Sequence, residues 1–199
     1  MNTKKFYDWL HTEQEREPKA DSQVLDFIYR FRTRQVRSTP DSERILQNQF
    51  LNGYCYYFAV MLKTAFKRGE ICWAAPSSHI AWMDENGVPY DIGGVTAEKA
   101  EDWIPEYMLG NTLRDFLHIP GNLQETTDQD IKAVQETWAL VKSPAFSYHG
   151  KNVTELSKEE AEAYLHYPFV IQDDFHLTWM HGQKQEYLKR KFGLQGEKG

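Results

Sequence analysis

The chain has 199 residues, of which 41% are hydrophobic and 14% aromatic, and its formal net charge is −6. This length fits one domain of ordinary size whose core needs no disulfide or metal staple, and the aromatic content argues against disorder. The acidic balance, the lack of an apolar run near the roughly 20 residues of a membrane span, and the lack of a signal-peptide pattern lead us to expect a cytoplasmic protein without nucleic-acid or membrane partners.

The first half of the chain contains its most strongly patterned stretch, a helix followed by three strands. Residues 21–37 carry apolar side chains at helical spacing behind Asp21, which we assign as the N-cap of a first helix. Residues 53–67 carry a second helical stripe. Three β-type runs follow, and they span residues 71–75, 79–84 and 88–92.

The second half of the chain is predicted to be mainly helical. Capping boxes at Thr127 and Ser157 mark the starts of two helices, and a polar helix is expected to end at about Phe192. Two further short helices are predicted, over residues 96–108 and 111–117. A hairpin is predicted around Asp173-Asp174, with strands over residues 169–172 and 175–180.

The turn between the second and third strands can hold two residues, Asn86-Gly87, or three, Glu85-Asn86-Gly87. The two-residue turn places His79 and Asp91 on opposite faces of the hairpin. The three-residue turn pairs Trp82 with Tyr90, gathers the large apolar residues on one face, and makes His79 and Asp91 diagonal neighbours on the other. The hydrophobic pattern favours three residues, with Gly87 in the left-handed conformation that such a loop requires.

Cys55 stands at the predicted start of the second helix, where unpaired N–H groups and the helix dipole stabilise a thiolate. Its spacing to Phe58 and Leu62 places the sulfur on the face that packs against the strands. A lone cysteine there is usually a small buried hydrophobe, and we interpret Cys72 in that way. The order of the three residues in the chain, their separation and the register of the hairpin together favour a triad. In this triad Cys55 is the nucleophile, His79 the base and Asp91 the orienting carboxylate.

A donor to the oxyanion is also required. The backbone N–H of Cys55 is one candidate, and side-chain amides just upstream are others, namely those of Gln47, Asn48, Gln49 and Asn52. Gln49, followed six residues later by a helix that opens with Cys55, resembles the papain-like cysteine peptidase superfamily, whose oxyanion glutamine lies just ahead of a helix-opening cysteine. This resemblance implies that Gln49 is an oxyanion donor, and it implies the same triad roles for Cys55, His79 and Asp91.

The downstream segments His79-Ile80-Ala81-Trp82 and 87–93 are more similar to the transglutaminase-like and NlpC-type branches of that superfamily. In those branches, histidine and aspartate come from consecutive strands soon after the cysteine helix. The resemblance covers about residues 49–94. The chain lacks the Gly-Ser-Cys-Trp surroundings of papain, and its Cys-to-His interval is shorter than in most transglutaminases, so the branch stays open.

We therefore expect an α+β papain-like core, in which a cysteine-bearing helix packs on a small antiparallel sheet, and a mainly helical C-terminal half. One domain over 1–199 would comprise N-terminal helices (1–48), a catalytic core (49–94) and a helical elaboration with a late hairpin (95–199). The expected function is a thiol-dependent hydrolase of peptide, protein or amide-containing substrates. Alternatives are a transglutaminase-like or acyl transferase with the same triad, and an inactive binding or inhibitory protein. No metal or cofactor is predicted, because no metal-ligand spacing, phosphate loop or dinucleotide fingerprint is found.

Overall fold

The computed structural model of the chain describes residues 3–35, 41–74, 79–96, 103–109, 127–171 and 174–194. Its fold class is α+β, as predicted. The chain divides into two compact units, which we call unit 1 (residues 1–106 and 111–125) and unit 2 (residues 107–110 and 126–199). The expectation of a single domain over 1–199 stays a prediction.

Four α-helices precede the sheet in the described part of unit 1, and they are α1 (Thr3–Arg16), α2 (Ser22–Gln35), α3 (Ser42–Leu51) and α4 (Cys55–Phe66). Asp21 caps α2 as predicted, because its Oδ1 accepts the N–H of Gln23 at 2.7 Å. Helix α3 is not predicted by the sequence analysis, and none of its residues is fully buried.

The sheet of unit 1 has five strands in the order β4-β3-β2-β1-β5, with antiparallel neighbours throughout. The strands are β1 (Glu70–Ala74), β2 (His79–Met83), β3 (Pro89–Asp91), β4 (Gly94–Val95) and β5 (Trp103–Pro105). Helix α4 packs on β1, β2 and β3, and it buries Phe58, Ala59 and Leu62. The core of unit 1 therefore includes the interface between the cysteine-bearing helix and the sheet.

The hairpin of β2 and β3 has the three-residue turn. Trp82 pairs with Tyr90, the N–H of Asp84 donates to the carbonyl of Val88 at 3.0 Å, and Gly87 has a φ of 77°. The Asp84 carboxylate also accepts the N–H groups of Asn86 and Val88, both at 2.9 Å, and so braces the turn. The register predicted from the hydrophobic pattern is confirmed.

The prediction of a helix over 96–108 is wrong for residues 103–105, and residues 97–102 lie outside the described residues. Trp103–Pro105 forms the edge strand β5, which pairs with β1, and a short 3-10 helix, Glu106–Met108, follows. All three residues of β5 are buried, and a short apolar run of this kind does not distinguish a strand from a helix by periodicity. Pro105 suits an edge strand because it has no N–H to donate. The predicted helix over 111–117 lies outside the described residues.

Unit 2 contains three α-helices in its described part, α5 (Asp128–Lys142), α6 (Lys158–Leu165) and α7 (Phe175–Phe192). The capping boxes of Thr127 and Ser157 are confirmed at the starts of α5 and α6. Buried Lys184 on α7 donates from Nζ to the carbonyl oxygens of Val141 and Ser143 at 2.8 and 2.7 Å, and so ties α7 to the end of α5. None of the helices in the described ranges combines the length and apolar character of a membrane span.

The prediction of a late hairpin around Asp173-Asp174 is wrong. Phe175 begins helix α7, and Asp174 is its N-cap, because Oδ1 accepts the N–H groups of His176 and Leu177 at 2.8 and 3.1 Å. Aspartate favours both turns and N-caps, so the same residue supports either interpretation. The first strand of the predicted hairpin spans residues 169–172. Residues 169–171 are not in a regular element, and Gln172 and Asp173 lie outside the described residues.

Candidate active site

Three predicted site residues converge where α4 meets the hairpin. Cys55 is the first residue of α4, His79 the first residue of β2, and Asp91 the last residue of β3. Because α4 packs on both strands, and the register makes His79 and Asp91 diagonal neighbours, the start of the helix lies over the histidine. The three side chains therefore meet although they come from three different elements.

The histidine and the carboxylate form a close pair. Nε2 of His79 lies 2.9 Å from Oδ2 of Asp91, and the two side chains are only 12% and 11% exposed. Oδ1 of Asp91 accepts the N–H of Gly93 at 2.6 Å, so both carboxylate oxygens are engaged. The edge of the His79 ring also lies against Trp103, with 6.2 Å between the ring centroids. With Nε2 on Asp91, the imidazole is fixed with Nδ1 available to the thiol.

Cys55 is half-buried, and its sulfur is hydrogen-bonded to the His79 side chain. Burial by itself raises the pKa of this thiol. The hydrogen bond with His79, backbone hydrogen bonds from Ile80 and Tyr56, and the charge of His79 outweigh burial, and the pKa of Cys55 is lowered. The thiolate is therefore the favoured form of this sulfur to a lower pH than in an isolated cysteine.

The pKa of His79 shifts in the opposite direction. Burial by itself lowers it, but hydrogen bonds with Asp91 and Cys55, and the negative charges of both, raise the pKa of His79 to about 9. A thiol with a lowered pKa next to an imidazole with a raised pKa favours transfer of the proton from sulfur to nitrogen. The two shifts together favour the thiolate–imidazolium form of the pair over the neutral form.

Gln49 is not brought to this cluster by any side-chain hydrogen bond among the described residues. It is exposed on α3, and it contributes its carbonyl oxygen, which accepts the N–H of Tyr54 at 3.3 Å. The other upstream amides are also engaged elsewhere. The Gln47 amide lies against the Arg32 guanidinium, and the Asn52 amide donates to Asn48. The backbone N–H of Cys55, at the start of its helix, is the other predicted oxyanion donor, and the role of the Gln49 side chain stays a prediction.

Cys72 lies in β1 between β2 and β5, where its side chain is 2% exposed. Burial, with a smaller contribution from the charge of Glu70, raises the pKa of the Cys72 thiol well above its ordinary value. The two cysteines of the chain therefore have opposite electrostatic environments. Among the described residues no group of three or more His, Cys, Asp and Glu side chains could hold a metal ion.

Two features of the site are not predicted by the sequence. The backbone contact of Ile80 with the sulfur depends on how α4 sits on β2, which no local pattern encodes. The ring of Trp103 reaches His79 because β5 joins the sheet beside β1, and the sequence predicts a helix at that position. The short apolar triplet Trp103–Pro105 carries no local signal that distinguishes a strand from a helix.

Comparison with known proteins places the chain in a family. No curated protein and no solved structure matches the chain. A family model described as Phage YunG-like protein matches residues 33–139, a region that includes Cys55, His79 and Asp91. Residues 33–139 make up more than half of the chain, and the chain therefore belongs to the Phage YunG-like protein family.

Proposed function

We propose that the protein is a thiol-dependent hydrolase that cleaves a peptide or amide bond with Cys55, His79 and Asp91. The observation that carries the proposal is the 2.9 Å contact of His79 with Asp91 beside a cysteine that begins a helix. The opposite pKa shifts of Cys55 and His79 support it, because a nucleophilic cysteine works as the thiolate and needs an adjacent acid for the leaving group.

In the first step, the Cys55 thiolate attacks the carbonyl carbon of the substrate, and the carbonyl π electrons move to oxygen. The backbone N–H of Cys55 donates to this oxyanion. The tetrahedral intermediate collapses, the C–N bond breaks, and the His79 imidazolium gives its proton to the departing nitrogen. The products are a free amine and a thioester on Cys55, with His79 now neutral.

In the second step, neutral His79 takes a proton from water as the water oxygen attacks the thioester carbonyl. The second tetrahedral intermediate expels the Cys55 thiolate and releases the carboxylic acid. His79 again carries the proton. Asp91 stays ionised in both steps, and it holds the imidazole in one orientation while stabilising its positive form.

Acyl transfer to an amine is a second candidate reaction for the same triad. Tyr54 precedes Cys55 and Tyr57 follows two residues after it, both residues are nearly half exposed, and their ring centroids lie 5.9 Å apart. An aromatic surface next to the nucleophile favours binding of an organic acyl acceptor in competition with water. In that reaction an amine nitrogen, in place of water, attacks the thioester.

The proposal is tested with the full chain and a complex mixture of peptides. We expect the wild-type protein to generate new peptide termini, which mass spectrometry detects, and the Cys55→Ala variant to generate none. The Cys72→Ala variant serves as the matched control and should retain cleavage. Addition of a primary amine separates the two reactions, because acyl transfer adds the mass of the amine to the new carbonyl end. Wild-type and Cys55→Ala proteins with indistinguishable products would contradict the proposal.

A further inference from the structure

The strand that follows Asp91 lies at the edge of the sheet and is only two residues long. In β4, Gly94 pairs with Asp91 and Val95 pairs with Tyr90, and order in the sheet places β4 beside β3 alone. A two-residue edge strand has too few backbone hydrogen bonds to fix its own position. Where they are buried away from water, the outer N–H and C=O groups of such a strand also need hydrogen-bond partners.

Helix α1 supplies those partners with two side chains. Oε2 of Glu13 accepts the N–H of Val95 at 2.8 Å, and Arg16 donates from Nη2 to the carbonyl oxygen of Val95 at 3.0 Å. Glu13 is 4% exposed, and its carboxylate is also paired with Arg16 at 3.3 Å. The carboxylate and the guanidinium thus occupy the place that a further strand would take at this edge.

The approach of α1 to this segment is close. Gly94 has a φ of 125°, and a Cβ there would lie 2.6 Å from Oε2 of Glu13 and 3.0 Å from the Trp9 ring. Helix α2 adds a further contact, because Arg32 donates from Nη1 to the carbonyl oxygen of Gly93 at 3.3 Å while its guanidinium is held by Glu43. Side chains from α1 and α2 therefore hold the turn between β3 and β4 together with the strand that follows it.

This turn is directly bonded to the carboxylate that orients His79. The N–H of Gly93 donates to Oδ1 of Asp91 at 2.6 Å, and Oδ2 of the same carboxylate contacts His79. A shift of the Gly93–Val95 backbone therefore moves or releases one oxygen of Asp91. Because Asp91 has one side-chain torsion beyond its Cβ, displacement of one oxygen also changes the position of the other.

We propose that Glu13 is a positioning residue for the triad, which fixes the Gly93–Val95 segment and through it the orientation of Asp91 against His79. This inference rests on the proposed function, and it assigns to helix α1 a part in the reactivity of Cys55. Glu13 acts because its side chain is long enough to accept the N–H of Val95. Its charge serves the pairing with Arg16, whose side chain is partly exposed, and contributes little.

The test measures the rate of Cys55 alkylation by iodoacetamide between pH 5 and 9 in the full chain, with the modified residue located by mass spectrometry. In the Glu13→Ala variant, Val95 loses its acceptor, and we expect the midpoint of the profile to rise by about one pH unit, which slows alkylation about tenfold at pH 6. Glu13→Gln keeps an acceptor of the same length without the charge, and we expect its profile to match that of the wild type.

The matched control is Asp84→Ala, which removes another buried carboxylate that accepts backbone N–H groups of the same sheet, at the opposite end of the hairpin from Asp91. We expect it to lower Tm without moving the alkylation midpoint. If Glu13→Ala does not fold, Glu13→Asp replaces it, because the shorter side chain keeps the charge but no longer reaches Val95. We then expect a wild-type alkylation profile for Glu13→Gln and a raised alkylation midpoint for Glu13→Asp.

The inference is overturned if Glu13→Ala lowers Tm like the control and keeps the wild-type alkylation profile. It is equally overturned if Glu13→Asp keeps the wild-type alkylation profile and Glu13→Gln raises its midpoint. The charge of residue 13, and not the length of its side chain, would then matter. Failure of the proposed function has a different signature. In that case wild-type Cys55 itself shows no alkylation below pH 8, whatever residue stands at position 13.

Discussion

At the scale of single residues, Cys55 and His79 differ from isolated side chains mainly in which of them holds the proton. A raised His79 pKa stabilises the fold fully below the ordinary value of 6.5, and this contribution is lost as pH rises through about 9. A lowered Cys55 pKa stabilises the fold above the ordinary thiol pKa, and that contribution is lost as pH falls through the folded value.

Removal of the thiolate should lower the pKa of its partner. In a Cys55→Ala variant, His79 loses one hydrogen bond and one negative charge that raise its pKa, while burial continues to lower it. We expect the pKa of His79, followed by NMR of its imidazole, to fall below the wild-type value of about 9. The Cys72→Ala variant should leave this titration unchanged. Identical His79 titrations in Cys55→Ala and wild-type proteins would mean that no proton is shared with the sulfur.

At the scale of elements, the connection between α4 and β1 determines how the cysteine helix lies on the sheet. Helix α4 ends at Phe66 and is capped by Lys67, which has a φ of 55°, and Gly69 has a φ of 68°. A Cβ at Gly69 would overlap the Met83 carbonyl oxygen and lie 2.7 Å from the Trp82 ring. The indole N–H of Trp82 donates to the carbonyl of Arg68 at 2.9 Å, so the connection packs tightly against β2.

Substitution of Gly69 should therefore destabilise the protein more than left-handed strain alone does. Gly87 is the matched control, because its φ is 77° and a Cβ there would meet nothing within 4 Å. We expect Gly87→Ala to lower the free energy of unfolding by about 1 kcal/mol, and Gly69→Ala to lower it by a further 1–3 kcal/mol, roughly, because of overlap with the sheet. Urea unfolding measures both. Equal losses would show that Gly69 matters only for its backbone angle.

The sequence predicts those elements whose own residues carry the signal. The register of β2 and β3 follows from the apolar pattern around Trp82 and Tyr90, and the capping boxes of α5 and α6 are local. Helix α3 has no fully buried residue, although Phe50 packs against Phe31 and Phe58, and β5 is only three residues long, so neither element is predicted in the sequence analysis. The supporting contacts of the site are long-range. Glu13 and Val95 are far apart in sequence, and only the packing of α1 against β4 brings them together.

At the scale of the whole molecule, the reactivity proposed for Cys55 is a property of the folded chain. The nucleophile, the base and the carboxylate come from α4, β2 and β3, and the segment that follows the carboxylate is held by α1 and α2. In the unfolded chain these elements separate, and each cysteine titrates near the ordinary pKa of about 8.5. Cys72 then loses the burial that raises its pKa, and Cys55 loses the imidazolium that lowers its own.

The most direct measurement compares iodoacetamide alkylation of the two cysteines from pH 5 to 9, in native protein and in urea. We expect native Cys55 to react well below pH 8 and faster than Cys72, His79→Ala to slow Cys55, and urea to make the two thiols alike. Native Cys55 and Cys72 that are equally slow, with no response to His79→Ala, would contradict the account and favour a binding protein without turnover.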